Sequence, residues 1–279
     1  MFSCAPPIHI IAPKTFGDTS RRRVGRQAEE VSAAAMDWSD DAIVLSARKH
    51  GESAAIAQLL TRGHGRHAGL VRGGAATRLR GVLQPGNELH CVWRARLEEH
   101  LGAYTVELAR ARAAALLDRR LPLLALSAAC AVVETMLPER EPHGPLFDGL
   151  IALLDALEES EAWPAAYVRW EVGLLRELGF GLDLSACAAT GVTEGLVWVS
   201  PKTGRAVSAE AGEPYRDRLL SLPGFLVGEG AAAPGDIVAG LRLTGHFLGE
   251  HGAALPAARD RLVDGLSRSA TTSCGKNGS

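Results

Sequence analysis

The chain has 279 residues, 47% of them apolar and 22% charged, and carries a net charge of −2. It is long enough for two domains with their own cores, and no apolar run approaches the roughly 20 residues of a bilayer-crossing helix, so an integral membrane protein is not expected. Its five cysteines, Cys4, Cys91, Cys130, Cys187 and Cys274, are odd in number and lack CxxC spacing, which argues against a disulfide framework and for a reducing compartment, the cytoplasm.

Residues 1–35 contain the proline-broken stretch PPIHIIAP followed by Arg21, Arg22 and Arg23, the reverse of a secretory signal's order, so a disordered extension is expected there, with the folded protein starting at Met36. Short apolar runs at 42–48 and 54–61 are joined by Lys49-His50-Gly51-Glu52-Ser53, a hairpin-like connection, and a third run follows the Gly63-His64-Gly65 turn at 68–72. Residues 88–97 alternate, with Leu89, Cys91, Trp93, Ala95 and Leu97 on one face. Residues 102–108 put Tyr104, Val106 and Leu108 on another apolar face. Five short strands, with a glycine-rich linker from Gly73-Gly74 to Gly81 between the third and fourth, predict an OB-type β-barrel over residues 36–110.

After Ala111 the apolar period becomes 3.6. Leu123, Leu126, Cys130, Val133 and Leu137 form one helical stripe. Pro145 opens a second with Leu146, Leu150, Leu153 and Leu157, and Trp163-Pro164 a third with Tyr167, Trp170, Leu174 and Leu178. A loop-rich insert is expected at about 182–207, then helices near 208–222, 237–250 and 256–266, and an unstructured tail at 267–279. The fold class is therefore α+β: a five-stranded barrel, then an α-helical domain over 111–266.

Charge divides along the same line. Residues 36–120 hold thirteen Lys/Arg against nine Asp/Glu, and residues 121–266 hold ten against twenty. Opposite fields on two modules usually serve different partners, and the basic one is where nucleic acid is sought. The candidate phosphate contacts are Arg48 and Lys49 at the first hairpin, Arg62 and Arg66 beside the Gly-rich turn, Arg72, Arg78 and Arg80 around the linker, and Arg94 and Arg96 on the fourth strand. Trp38 and Trp93 are the only tryptophans of the basic module, and Trp93 points to the core, so backbone electrostatics should dominate over base reading. The HxxH pair His64 and His67 reads as loop surface for want of further metal ligands. The chain contains no GxSxG, Walker A or HExxH sequence, and no enzyme is expected.

The runs AIVLSARKHGESAAIAQLLTRGHGRHAGLVRGGA, VLQPGNEL, LGFGLDLSACAATG, VSPKTGRAVS and TGHFLGEHGAALPAARDRL, in this order over residues 37–266, resemble the bacterial RecO recombination-repair proteins. The resemblance implies an OB domain and a helical domain, often with a small zinc ribbon. It also implies binding of single- and double-stranded DNA, strand annealing, pairing with RecR, contact with the single-strand-binding protein's C-terminal tail, and loading of RecA. The departure is at the ribbon: Cys187 stands with Thr190 where one CxxC pair would be, and Ser208 and Ala211 where the other would be, so a degenerate, metal-free insert is expected, with no cofactor. The rival reading of the same basic barrel is an OB-fold RNA-binding or ribosome-associated factor.

Overall fold

A computed structural model describes residues 36–251 and 254–275. The expected extension at 1–35 and the end of the expected tail lie outside them. Five strands, β1 (Met36–His50), β2 (Ala54–Thr61), β3 (Gly65–Val71), β4 (Glu88–Ala95) and β5 (Ala103–Arg110), close a barrel in the order β1-β2-β3-β5-β4. Closure comes from a short parallel pairing of β3 with β5, Leu70 opposite Ala103 and Val71 opposite Tyr104; the other neighbours are antiparallel.

β1 is longer than the expected 42–48 because it serves two partners. Its first part pairs with β4, Met36 opposite Ala95, and from Ala42 onward it pairs with β2, with a register shift between Val44 and Ser46 inside that ladder. The polar run Ser39-Asp40-Asp41 shows no apolar alternation, yet tertiary pairing holds it extended. Alternation elsewhere fills the barrel: Val44, Leu59, Val71, Leu89, Cys91, Trp93 and Tyr104 face a common interior. Two expected members do not. β4 ends before Leu97, which is 46% exposed, and Leu108, toward the far end of β5 next to a register shift between Glu88 and Leu89, is 40% exposed.

The glycine-rich linker is not irregular throughout. It contains a short helix, α1 (Thr77–Val82), whose Leu79 and Val82, with Leu83 just beyond it, pack on the barrel core. Buried Asn87 secures its end by donating from Nδ2 to the carbonyls of Gly81 and Val82 while its Oδ1 accepts from the Ala113 amide.

His67, read from sequence as loop surface, is inside the barrel at 3% exposure. Its ring lies edge-on to Trp93, and its Nδ1 is 3.1 Å from the Tyr104 hydroxyl. Burial, with the Arg140 charge nearby, pushes its pKa down from 6.5 to about 4. Between these values the unfolded chain binds a proton that the folded chain does not, so stability falls as pH drops from 6.5 towards 4 and levels off below. His67→Gln should lack this component, on the order of 2–3 kcal/mol. Parallel stability–pH curves for the two proteins in urea would contradict it.

The helical part begins with α2 (Arg112–Ala115) and continues with α3 (Arg120–Met136), α4 (Gly144–Glu159) and α5 (Trp163–Glu177). Their buried faces carry the stripes read from sequence: Leu126, Cys130 and Val133 on α3, Leu146, Leu150, Leu153 and Leu157 on α4, Tyr167, Trp170 and Leu174 on α5. A three-stranded sheet follows in the order β7-β6-β8, from β6 (Leu196–Val199), β7 (Ala206–Ser208) and β8 (Leu220–Ser221). The helix expected over 208–222 reduces to α6 (Ala209–Gly212) and a 3-10 turn (Glu213–Arg218) before β8. Pro214 at the start of that turn cannot donate to an α-helical ladder, and the ring of Trp198 fills the space a Cβ on Gly212 would need.

α7 (Pro234–His251) and α8 (Ala257–Gly275) complete the fold. α8 runs well past residue 267, where a tail was expected. Its buried Leu262 and Leu266 join the helical core, and the helix continues through polar residues, with the Thr271 hydroxyl donating to the Ser267 carbonyl one turn back. The helical core reaches the outside of the barrel, taking in Ile43, Leu45 and Leu60, so one apolar cluster spans both parts.

Candidate nucleic-acid interface

The joint between barrel and helices is lined with opposite charges. Arg112, 1% exposed, donates from Nε to Glu88 of β4 at 2.6 Å and from its terminal nitrogen to Asp155 of α4 at 2.7 Å, with Glu158 at 3.3 Å. Burial works against its charge, but the hydrogen bonds to Asp155 and Glu88 outweigh it and raise the pKa. Arg110 on β5 grips the same pair of acids at 3.0 and 2.5 Å. On another side, Ser46 of β1 donates to Glu134 of α3. Part of the sequence's charge split is thus spent between the two parts of the molecule.

Two of the nine candidate phosphate contacts belong to this joint. Arg62 pairs with Asp148 of α4 at 2.6 Å and lies over the Phe147 ring at 4.5 Å. Arg66, its side chain 15% exposed, donates from Nε to the Leu137 carbonyl at 2.9 Å and pairs with Glu139 at 3.1 Å. Arg66 is largely covered by this pairing, while Arg62 stays about half exposed beside an exposed acid. Spacing beside a Gly-rich turn could not reveal this, because the acids that occupy them are about 70 to 90 residues away.

The other seven are exposed too, and five of them line grooves beside α1. Arg48, Lys49 and Arg80 line one groove, of about 290 Å³, with Leu83 and the Gly74 backbone. Arg72 and Arg94 line a second, of about 510 Å³, with Leu79 and Tyr104. Among the described residues Arg48, Lys49, Arg72, Arg80 and Arg96 have no ion pair, and Arg94 has only the distant, exposed Asp37 at 3.8 Å. Arg78 opens instead onto a hollow of about 790 Å³ that also holds Asp40, Asp41, His90 and Glu107, an acidic setting unlike its neighbours'. Arg96 follows the end of β4 in the β4–β5 loop.

Trp38 offers little to a nucleobase, since its ring stacks on His64 at 3.9 Å and on Trp93 at 5.5 Å. His64 is in turn held by Asp40 at 2.9 Å.

In the sheet beyond α5, three of the four positions that would hold paired cysteines come together: burial pushes the Cys187 thiol up, but hydrogen bonds involving the Ser208 and Thr190 side chains and the Ser208 and Ala189 amides hold it at about 6. The Ser208 amide donates to its sulfur at 3.3 Å. Among the described residues no three His, Cys, Asp or Glu side chains gather as a metal would need, and no helix is long and apolar enough to cross a membrane.

The sequence has clear relatives among known proteins. The family model described as Recombination protein O N terminal matches residues 36–112, and that described as Recombination protein O C terminal matches residues 120–257. The chain is 61% identical over 245 residues to the DNA repair protein RecO of Rhodospirillum centenum, covering 85% of this chain and 98% of that protein. It is 52% identical over 239 residues to the DNA repair protein RecO of Cereibacter sphaeroides, covering 84% and 99%, and 54% identical over 238 residues to that of Phenylobacterium zucineum, covering 83% and 98%.

Proposed function

The chain belongs to the RecO family of DNA repair proteins, and from that premise we propose that it is a non-enzymatic recombination mediator that holds DNA on the barrel. It binds single and double strands, anneals complementary strands, and with RecR helps RecA load onto single strands coated by single-strand-binding protein. The observation that carries the DNA part is the pair of grooves flanking α1, whose cations Arg48, Lys49, Arg80, Arg72 and Arg94 are exposed and almost without acidic partners. Arg62 and Arg66 are left out of the path, and Arg78 stands at its edge. Arginines and lysines without internal partners give up condensed counterions when they meet phosphates, which favours sequence-independent binding.

The helical part supports the protein-partner half of the reading. Trp163, Pro164, Ile237 and Leu266 line a groove of about 560 Å³ with Arg169 and, at its exposed rim, Glu161 among its walls. An apolar floor with a cation nearby suits a chain end carrying apolar side chains and a carboxylate, which is the form the single-strand-binding protein's tail would present. The purified protein is expected to accelerate annealing of complementary strands coated by the cognate single-strand-binding protein; annealing no faster than without it would contradict the proposal.

A further inference from the structure

We propose that Arg140 is a positioning residue that holds the β4–β5 loop, residues 96–102, in the form that presents Arg96 to DNA, next to Arg94 at the end of β4. The inference rests on the DNA-binding reading above.

Arg140 is the only non-glycine with positive φ, at 62°, among the described residues. A side chain in this region is sterically strained and persists only where surroundings fix it. Here they do so from both sides. The Arg140 amide donates to the Arg66 carbonyl at 2.8 Å, and Glu139 bridges Arg66 in parallel fashion. β3 meets β5 only through Leu70 and Val71, so the earlier part of its edge is open, and residues 138–141 lie along it as a strap. The fit is close: a Cβ on Gly65, itself at φ +67°, would fall 2.0 Å from the Glu141 carbonyl oxygen.

With its backbone so fixed, the Arg140 guanidinium reaches the loop and donates to two of its carbonyls, Glu98 at 2.5 Å and His100 at 3.0 Å. The loop has little else. Leu97 and Leu101 are 46% and 40% exposed, and the loop's other ties are its own His100 amide donating to the Leu97 carbonyl and, at its end, the Trp93 ring packed on Gly102, the Trp93 indole donating to the Leu101 carbonyl and the Leu70 amide donating to the Gly102 carbonyl. Two carbonyls held by one planar, five-donor group require arginine, because a lysine ammonium cannot span them in the same way. The strap therefore connects the helical part to a loop that follows the end of β4 at Ala95 and contains Arg96.

Two full-length variants test this. Arg140→Gly removes the guanidinium while relieving the backbone, so the fold should survive, and Arg140→Lys keeps the charge without the two-pronged grip. Both are expected to show faster amide hydrogen exchange in residues 96–102. Both should bind single-stranded DNA about threefold to tenfold more weakly, as the loop spends less time in the competent form, with the slope of log affinity against log salt unchanged. Unchanged exchange, or unchanged affinity in both variants, would overturn the inference while leaving DNA binding in place. So would a slope shallower by about 0.7 for Arg140→Gly with full rescue by Arg140→Lys, since Arg140 would then be a phosphate contact itself. A wild-type protein that binds no DNA would overturn the function and this inference with it.

Discussion

Arg259→Ala is expected to destabilise the protein by about 3–5 kcal/mol, a large part of the total stability of an ordinary domain. Arg259 is 3% exposed and Glu171 is fully buried. The guanidinium donates to both Glu171 oxygens, at 2.7 and 2.8 Å, and to the Leu241 carbonyl at 2.7 Å, while the Thr244 hydroxyl donates to Glu171 at 2.5 Å. One ion pair thus ties α5, α7 and α8 together. Burial lowers the Arg259 pKa, but the Glu171 charge more than restores it. Removing the cation leaves a carboxylate in the core with only a hydroxyl to satisfy it. The double variant Arg259→Met with Glu171→Leu should recover much of the loss, because two apolar groups leave no buried charge behind. Urea midpoints decide it: a midpoint for Arg259→Ala close to wild type would show that water reaches Glu171 and that the pair contributes little.

How far the sequence could be read follows from the range of each interaction. The interior of the barrel was legible because alternation is local: Leu89, Cys91 and Trp93 announce a half-buried strand without reference to their neighbours. The helical stripes of α3 to α5 were legible for the same reason. What pairing across the molecule decides was not. The polar start of β1 is strand only because β4 lies beside it, and α8 extends through a Ser/Thr-rich stretch that composition alone assigns to a tail. His67 looks like its neighbour His64 in a Gly-rich turn, although one faces the barrel interior and the other the surface side of Trp38. The basic residues divide in the same way. Arg66 and Arg72 are equally good candidates by spacing, and only the acids brought in by the helices separate them. Arg112 and Arg140, which matter most to the joint and the strap, carry no sequence signal beyond their charge.

The quadruple variant Arg48→Ala, Lys49→Ala, Arg72→Ala, Arg80→Ala should lose single-strand affinity by roughly a few hundredfold at 0.1 M salt. A slope of about −0.7 per phosphate contact corresponds to about fivefold in affinity for each contact at that concentration, and four contacts multiply. The loss should be similar on unrelated sequences, since phosphate contacts carry no base information. Stability should change little, because these side chains are exposed and engage no acid in the molecule. Arg66→Ala should do the opposite: it opens a half-buried joint with Leu137 and Glu139 and leaves the grooves beside α1 intact.

The salt dependence of single-strand binding, measured side by side for wild type, Arg72→Ala and Arg66→Ala, tests this division most directly. The account predicts a log–log slope shallower by about 0.7 for Arg72→Ala with wild-type melting, and a wild-type slope for Arg66→Ala with a lowered melting temperature. A wild-type slope for Arg72→Ala together with a reduced slope for Arg66→Ala would contradict it and move the DNA from the grooves beside α1 to the joint with the helices.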